Sequence, residues 1–201
     1  MKKQLTIFLV LFLMFAATAQ VQVTSGKVQR FENFKSKLID ARNIDVWLPD
    51  GYSEKEKYAV LYMHDGQALY DTQSTWNKQA WEIDEVAGKL IAEGKAQKFM
   101  VVGIFNNGAK RHPKYNHQKP FENLTQIQRD TVTAQLQKAG RTKDIFKPYS
   151  DLYLQFLVTE VKPFIDKTFS TKKDQKNTFV AGSSMGGLIS MYAICEYPNV
   201  F

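Results

Sequence analysis

Between a short β-branched and aromatic run (Thr178, Phe179, Val180) and an apolar helical pattern (Leu188, Ile189, Met191, Tyr192), the chain reads Gly182-Ser183-Ser184-Met185-Gly186-Gly187. Gly-x-Ser-x-Gly between a strand and a helix is the pattern of a nucleophile elbow. The central serine must stand on a sharp, strained strand-to-helix turn, so the residues two positions away must lack bulk. Gly182 and Gly186 meet that need, because a Cβ at either place would crowd the turning backbone. Gly187 leaves room for the new helix to lie close to the strand. Such a turn lifts Ser184 Oγ to the carboxyl end of a sheet. It also leaves the Met185 amide at a helix N-terminus, free to point at a developing oxyanion.

The sheet that such a turn requires is legible upstream. Residues 27–34 alternate loosely and read as a first strand. Ile44, Val46 and Leu48 alternate on one face of a second, which Pro49-Asp50-Gly51 stops. Residues 58–63 are apolar on both faces, as a strand inside a sheet is. Ile83, Val86, Ala87, Leu90 and Ile91 follow helical spacing up to Gly94. Residues 99–105 form the next buried run, and strand, helix, strand in this order implies a parallel crossover. Ser150 reads as the cap of a helix running to about residue 162, with Leu152, Phe156 and Val161 inward. Pro163 kinks or restarts that helix, and Phe164, Ile165 and Phe169 continue its apolar face.

The third strand ends in His64-Asp65-Gly66-Gln67. In hydrolases with an elbow, the second oxyanion donor is a backbone amide in this loop. The Gln67 amide is the first choice and Gly66 the next, with Gly66 letting the backbone approach a substrate. A carboxylate facing an oxyanion would raise the barrier, so Asp65 is expected to turn away and cap local amides. His64 reads as a packed strand-end residue and not as a base.

From 107 to 149 the periodicity weakens, apart from a short helix expected over 131–139 and closed by Gly140. A connection this long is usually functional, often a lid. It carries nine Lys/Arg against three acids, a net +6 in a chain of +7. A segment that follows a parallel strand emerges on the carboxyl-end side of the sheet. Lys110, Arg111 and Lys114 are therefore candidate substrate-binding residues, a basic rim favouring anionic substrates; a merely solvated loop is the plain alternative. No nucleic-acid-binding motif accompanies the charge.

Residues 1–19 read as a secretory leader: Lys2 and Lys3, an apolar stretch too short for a bilayer, then Ala17-Thr18-Ala19. The mature protein, from 20 onward, is expected to be exported to the periplasm or secreted, with no membrane span. Cys195 is the only cysteine, which excludes an intrachain disulfide. Its apolar neighbours suggest a buried thiol. No spacing suggests a metal site, and no cofactor is expected.

Several stretches together resemble the esterase family of α/β-hydrolases, which includes enterochelin esterases, esterase D-like enzymes, feruloyl and acetyl-xylan esterases and the antigen 85 acyltransferases. They are Val46-Trp47-Leu48-Pro49 with Gly51-Tyr52, and residues 60–67. Val101-Val102-Gly103-Ile104, residues 160–166 and Ala181 to Gly187 follow in the family's order. The resemblance implies an α/β fold: a mostly parallel sheet with flanking helices, incomplete because the family's last strands would lie beyond Phe201. It implies Ser184 as nucleophile, with the Met185 amide and the Gly66/Gln67 turn as oxyanion hole. In one departure, Arg111-His112-Pro113-Lys114-Tyr115 carries a lysine where many relatives place an acid in R-x-x-E-Y.

A serine nucleophile needs a base and a carboxylate to orient it, in this fold after the serine in the chain. No histidine follows Ser184; His64, His112 and His117 all precede it. The expectation is the N-terminal part of a serine ester hydrolase acting through an acyl-enzyme, its relay completed beyond Phe201 and this stretch alone inactive. His112 or His117 swinging in from the insertion is the alternative base. A siderophore, carbohydrate or other acyl ester, small or polysaccharide, is the expected substrate. Acyl transfer on the same fold and a non-catalytic ester- or glycan-binding protein are the rivals.

Overall fold

The computed structural model describes residues 21–75 and 77–201; the expected leader lies outside them. Five strands form one sheet in the order β1-β2-β4-β3-β5: β1 (Lys27–Phe34), β2 (Arg42–Leu48), β3 (Ala59–His64), β4 (Phe99–Ile104) and β5 (Thr178–Ala181). β1 pairs antiparallel with β2, and β2 antiparallel with β4. β3 lies parallel to both β4 and β5. The sheet is thus mixed, with its parallel half at the end that bears the elbow.

Alternation along the strands fills a core on each face. Ile44, Val46 and Leu48 enter one core with Val60, Tyr62, Met100, Val102 and Ile104, while Trp47 and Val101 enter the other. Strands buried on both faces must be largely apolar, as β4 is throughout and β3 is up to its terminal His64. Each fully buried large side chain contributes about 1.5–3 kcal/mol before chain entropy is counted.

The helix α1 (Ile83–Ala92) joins β3 to β4 over the smaller core. Its inward side differs from the apolar stripe. Asp84 and Ala87 are buried, whereas Val86 is 52% and Leu90 36% exposed. The helix is turned towards the segment before β1, where the Thr24 amide donates to Asp84 Oδ2 at 2.6 Å.

The stretch from 107 to 149 is more helical than its weak periodicity suggests. It holds α2 (Arg111–Tyr115), α3 (Gln118–Glu122) and α4 (Gln126–Lys138). Thr125 starts α4 with a reciprocal capping box to Gln128, and Gly140 follows its end at φ +67°. Only Thr133 of α4 is buried, so the helix has almost no apolar face to reveal it.

The larger core is covered by α5 (Ser150–Phe156), a π-helical turn (Leu157–Val161) and α6 (Lys162–Thr168), which run as one rod. The wider turn sits just ahead of Pro163, whose ring would clash with the carbonyl four residues back and which has no amide to donate. Ser150 does not cap this rod. Its Oγ accepts from the Gln118 amide at 2.9 Å, and the rod begins after Tyr149 without a side-chain cap. Leu152 faces outward, 41% exposed, while Tyr153, Leu154, Phe156 and Leu157 are buried.

The helix that leaves the elbow is α7 (Met185–Glu196). It pins the insertion in place. His117 Nε2 donates to the Leu188 carbonyl at 2.8 Å, and Lys119 pairs with Glu196.

Candidate active site

The register of the parallel strands brings two turns side by side. Met63 of β3 pairs with Ala181 of β5, so the chain leaves both strands at the same level, through His64-Asp65-Gly66-Gln67 and Gly182-Ser183-Ser184. The contact is direct. A Cβ built on Gly186 would lie 3.4 Å from Asp65 Oδ2 and 3.5 Å from His64 Cβ.

Ser184 is exposed and has φ 54°, ψ −119°. L-residues rarely adopt this conformation, which costs on the order of 1–3 kcal/mol. Gly182 makes the bend feasible, since a Cβ there would stand 2.7 Å from the Gly186 carbonyl carbon. Gly186 itself meets only ordinary contact distances, so the two glycines are not equivalent. In the first turn of α7 the amides of Gly186, Gly187 and Leu188 are bonded to the carbonyls of Ser183 and Ser184, and the Met185 amide has no partner among the described residues. The Gln67 amide is likewise without one among them, while its side-chain Oε1 accepts from the Asn106 amide at 3.2 Å.

Gly66 has a reason other than substrate approach. A Cβ on it would meet the Gly103 carbonyl carbon at 2.5 Å, so the turn lies flat against β4. Asp65 caps no backbone amide, and its carboxylate stays beside the elbow, in the wall of a cavity that Gln67 also lines. Arg111 grips its carboxylate in a fork, Nε to Oδ1 at 2.8 Å and Nη2 to Oδ2 at 2.7 Å, and Asn106 Nδ2 donates to Oδ1 at 2.6 Å. The carboxylate raises the Arg111 pKa, and the guanidinium also lies 5.0 Å from the centre of the Tyr115 ring. Asp65 sits at φ 61°, so the fork holds a left-handed residue at the root of the Gln67 turn.

The histidines are spread over three environments. His64 is fully buried, with Nδ1 2.7 Å from the Tyr153 hydroxyl, and burial pushes its pKa down to about 4. His117 is stacked on Tyr192 and bonded to α7. His112 lines a cavity of about 560 Å³ together with Asp65, Gln67, Asn106, Arg111 and Arg141. Burial, then Arg141 and Arg111, lower its pKa. Ser184 is not among the residues that line this cavity.

The three basic residues expected as one rim are separated. Arg111 reaches the cavity, Lys110 pairs with Asp40 at 2.7 Å, and Lys114 is buried with no partner for its Nζ among the described residues. Asn106, Tyr115, Tyr153 and Arg141 are site neighbours that the motifs did not point to. The signal for Asn106 was its place just after β4, the parallel neighbour of β3. Cys195 is exposed, contrary to the buried thiol expected, because Leu188, Met191 and Ile194 of the same helix also face outward.

The family model described as "Putative esterase" matches residues 36–201. The chain belongs to this esterase family. It is 26% identical over 188 residues to an endo-1,4-beta-xylanase/feruloyl esterase of Xylanibacter ruminicola, covering 89% of this chain and 21% of that protein. Among solved structures, a ferulic acid esterase of Anaeromyces mucronatus in complex with ferulic acid aligns with TM-score 0.58 and 19% identity, over 92% of this chain and 58% of the other. The enterobactin esterase of Shigella flexneri aligns with TM-score 0.57 and 14% identity, over 90% and 36%. The esterase fold is therefore shared, and the chain spans less than two thirds of each of these relatives.

Proposed function

We propose that this esterase-family chain carries the nucleophile and oxyanion hole of a serine carboxylic-ester hydrolase. Ser184 Oγ attacks the ester carbonyl, and the Met185 and Gln67 amides hold the tetrahedral oxyanion. The alcohol leaves, and water then releases the acid from the acyl-enzyme. The observation that carries the reading is the strained, exposed Ser184 beside a Met185 amide that has no partner among the described residues, abutting the His64–Asp65 turn. A histidine and an acid beyond Phe201 complete the relay in this proposal, since His64 is buried and His117 is bonded to α7. The leader-like sequence of residues 1–19 supports an exported, periplasmic or secreted, location.

The similar proteins point to feruloyl, siderophore or carbohydrate esters, and Arg141 and His112 in the cavity favour an acidic or polar one. A fluorophosphonate probe tests the chemistry on a protein that continues beyond Phe201. Labelling should be strong and should vanish in Ser184→Ala. Absence of Ser184-dependent labelling favours a non-catalytic binder. Labelling of the 201-residue chain itself, lost in His112→Ala, would instead make His112 the base. Partitioning of the acyl group between water and an added alcohol separates hydrolase from acyltransferase.

A further inference from the structure

A second hollow, of about 450 Å³, lies on the other side of α2 from the candidate active site. Lys110, Pro113, Arg141, Lys143, Lys147 and Tyr149 line it, with the acid Asp144 also in its wall. The Tyr149 amide donates to the Pro113 carbonyl at 2.8 Å, which closes one side. Two buried cations adjoin this wall: Lys114 follows the lining Pro113 in the chain, and Arg42 acts electrostatically on the lining Tyr149. Lys114 is 1% and Arg42 4% exposed, and Lys114 Nζ and Arg42 Nε have no hydrogen-bond partner among the described residues. Asp40 acts on both, but its carboxylate is already bonded to Lys110. Arg42 is partly accommodated by the rings of Tyr153 and Phe156, 5.6 and 5.1 Å away, and by the Asp40 carbonyl at 3.0 Å. Lys114 has no such compensation among the described residues.

We propose that this hollow binds a multiply charged oxyanion, with Arg141, Lys143 and Lys147 at its rim and Lys114 and Arg42 as the positive charge adjoining it. Buried like charges whose nearby carboxylate, Asp40, is shared with Lys110 are costly, and an anion drawn into the hollow offsets them while meeting the rim. The depressed Lys114 pKa, about 8 through burial and then Arg42, agrees with a cation short of a partner. The hollow is distinct from the cavity lined by Gln67 and His112, although Arg141 borders both. Anion binding in the hollow does not depend on ester hydrolysis.

Calorimetric titration of the intact protein at neutral pH and fixed ionic strength tests it, with inorganic pyrophosphate and trigalacturonate as probes. Saturable one-to-one binding is expected for at least one of them. Tighter pyrophosphate binding identifies a phosphate source, and tighter trigalacturonate binding a glycan carboxylate. Lys114→Met should weaken it at least about tenfold. If that variant does not fold, the Lys143→Gln/Lys147→Gln pair decides, with a similar loss expected. No saturable binding of either probe, or unchanged affinity in the folded variants, overturns the proposal.

Discussion

At the scale of single residues, small differences in packing separate positions that look alike in the sequence. Gly182 and Gly186 flank the same serine, yet only Gly182 faces backbone at 2.7 Å. Gly182→Ala should therefore destabilise the fold by about 2–4 kcal/mol, and Gly186→Ala by less than about 1 kcal/mol, read as urea midpoints. Equal losses would mean that the bend is not set by this contact. His64 supplies a pH prediction. Its folded pKa of about 4 lies below the ordinary 6.5, so the unfolded chain binds the extra proton. Its contribution is fully present above the ordinary value of about 6.5 and lost as pH falls towards about 4, a loss of about 3 kcal/mol. His64→Gln should flatten the stability profile across that window. Superimposable profiles would assign the loss to other groups.

At the scale of elements, the turn after β3 is held by Arg111 of the insertion, through its fork on Asp65, and by Asn106 just after β4. Arg111 is in this sense a positioning residue for the Gln67 amide. In the proposed complete enzyme, Arg111→Met should lower kcat by about 10–100-fold with little change in KM for a neutral ester. A rise in KM alone would make Arg111 a substrate-binding residue instead. The expected helix at 131–139 extends from Gln126 to Lys138 because the Thr125 cap, not an apolar stripe, fixes its start. The lid expected of the insertion is fastened to α7 by His117 and Lys119. Neither tie has a sequence signature, since the partners lie more than 70 positions apart.

At the scale of the whole molecule, β5 is an edge strand and α7 has one face uncovered. Phe179 is 44%, Leu188 52%, Met191 65% and Ile194 49% exposed. Cys195 on that face should react with a thiol reagent in the folded 201-residue chain, and should be protected in a longer protein that adds strands beyond β5. Equal reactivity in both would place the added strands elsewhere. The strands, the elbow and its flanking glycines were legible in the sequence because they depend on local patterns: period-two alternation, apolar runs and the bulk tolerated in a tight bend. The sequence alone determined which turns would carry the proposed chemistry. Tertiary structure decided what holds those turns, that Lys110 and Lys114 leave the site while Arg111 enters it, and that Cys195 faces outward. Those outcomes depend on which distant groups come within hydrogen-bonding reach, and on which faces the rest of the fold covers, and neither is encoded in residue spacing.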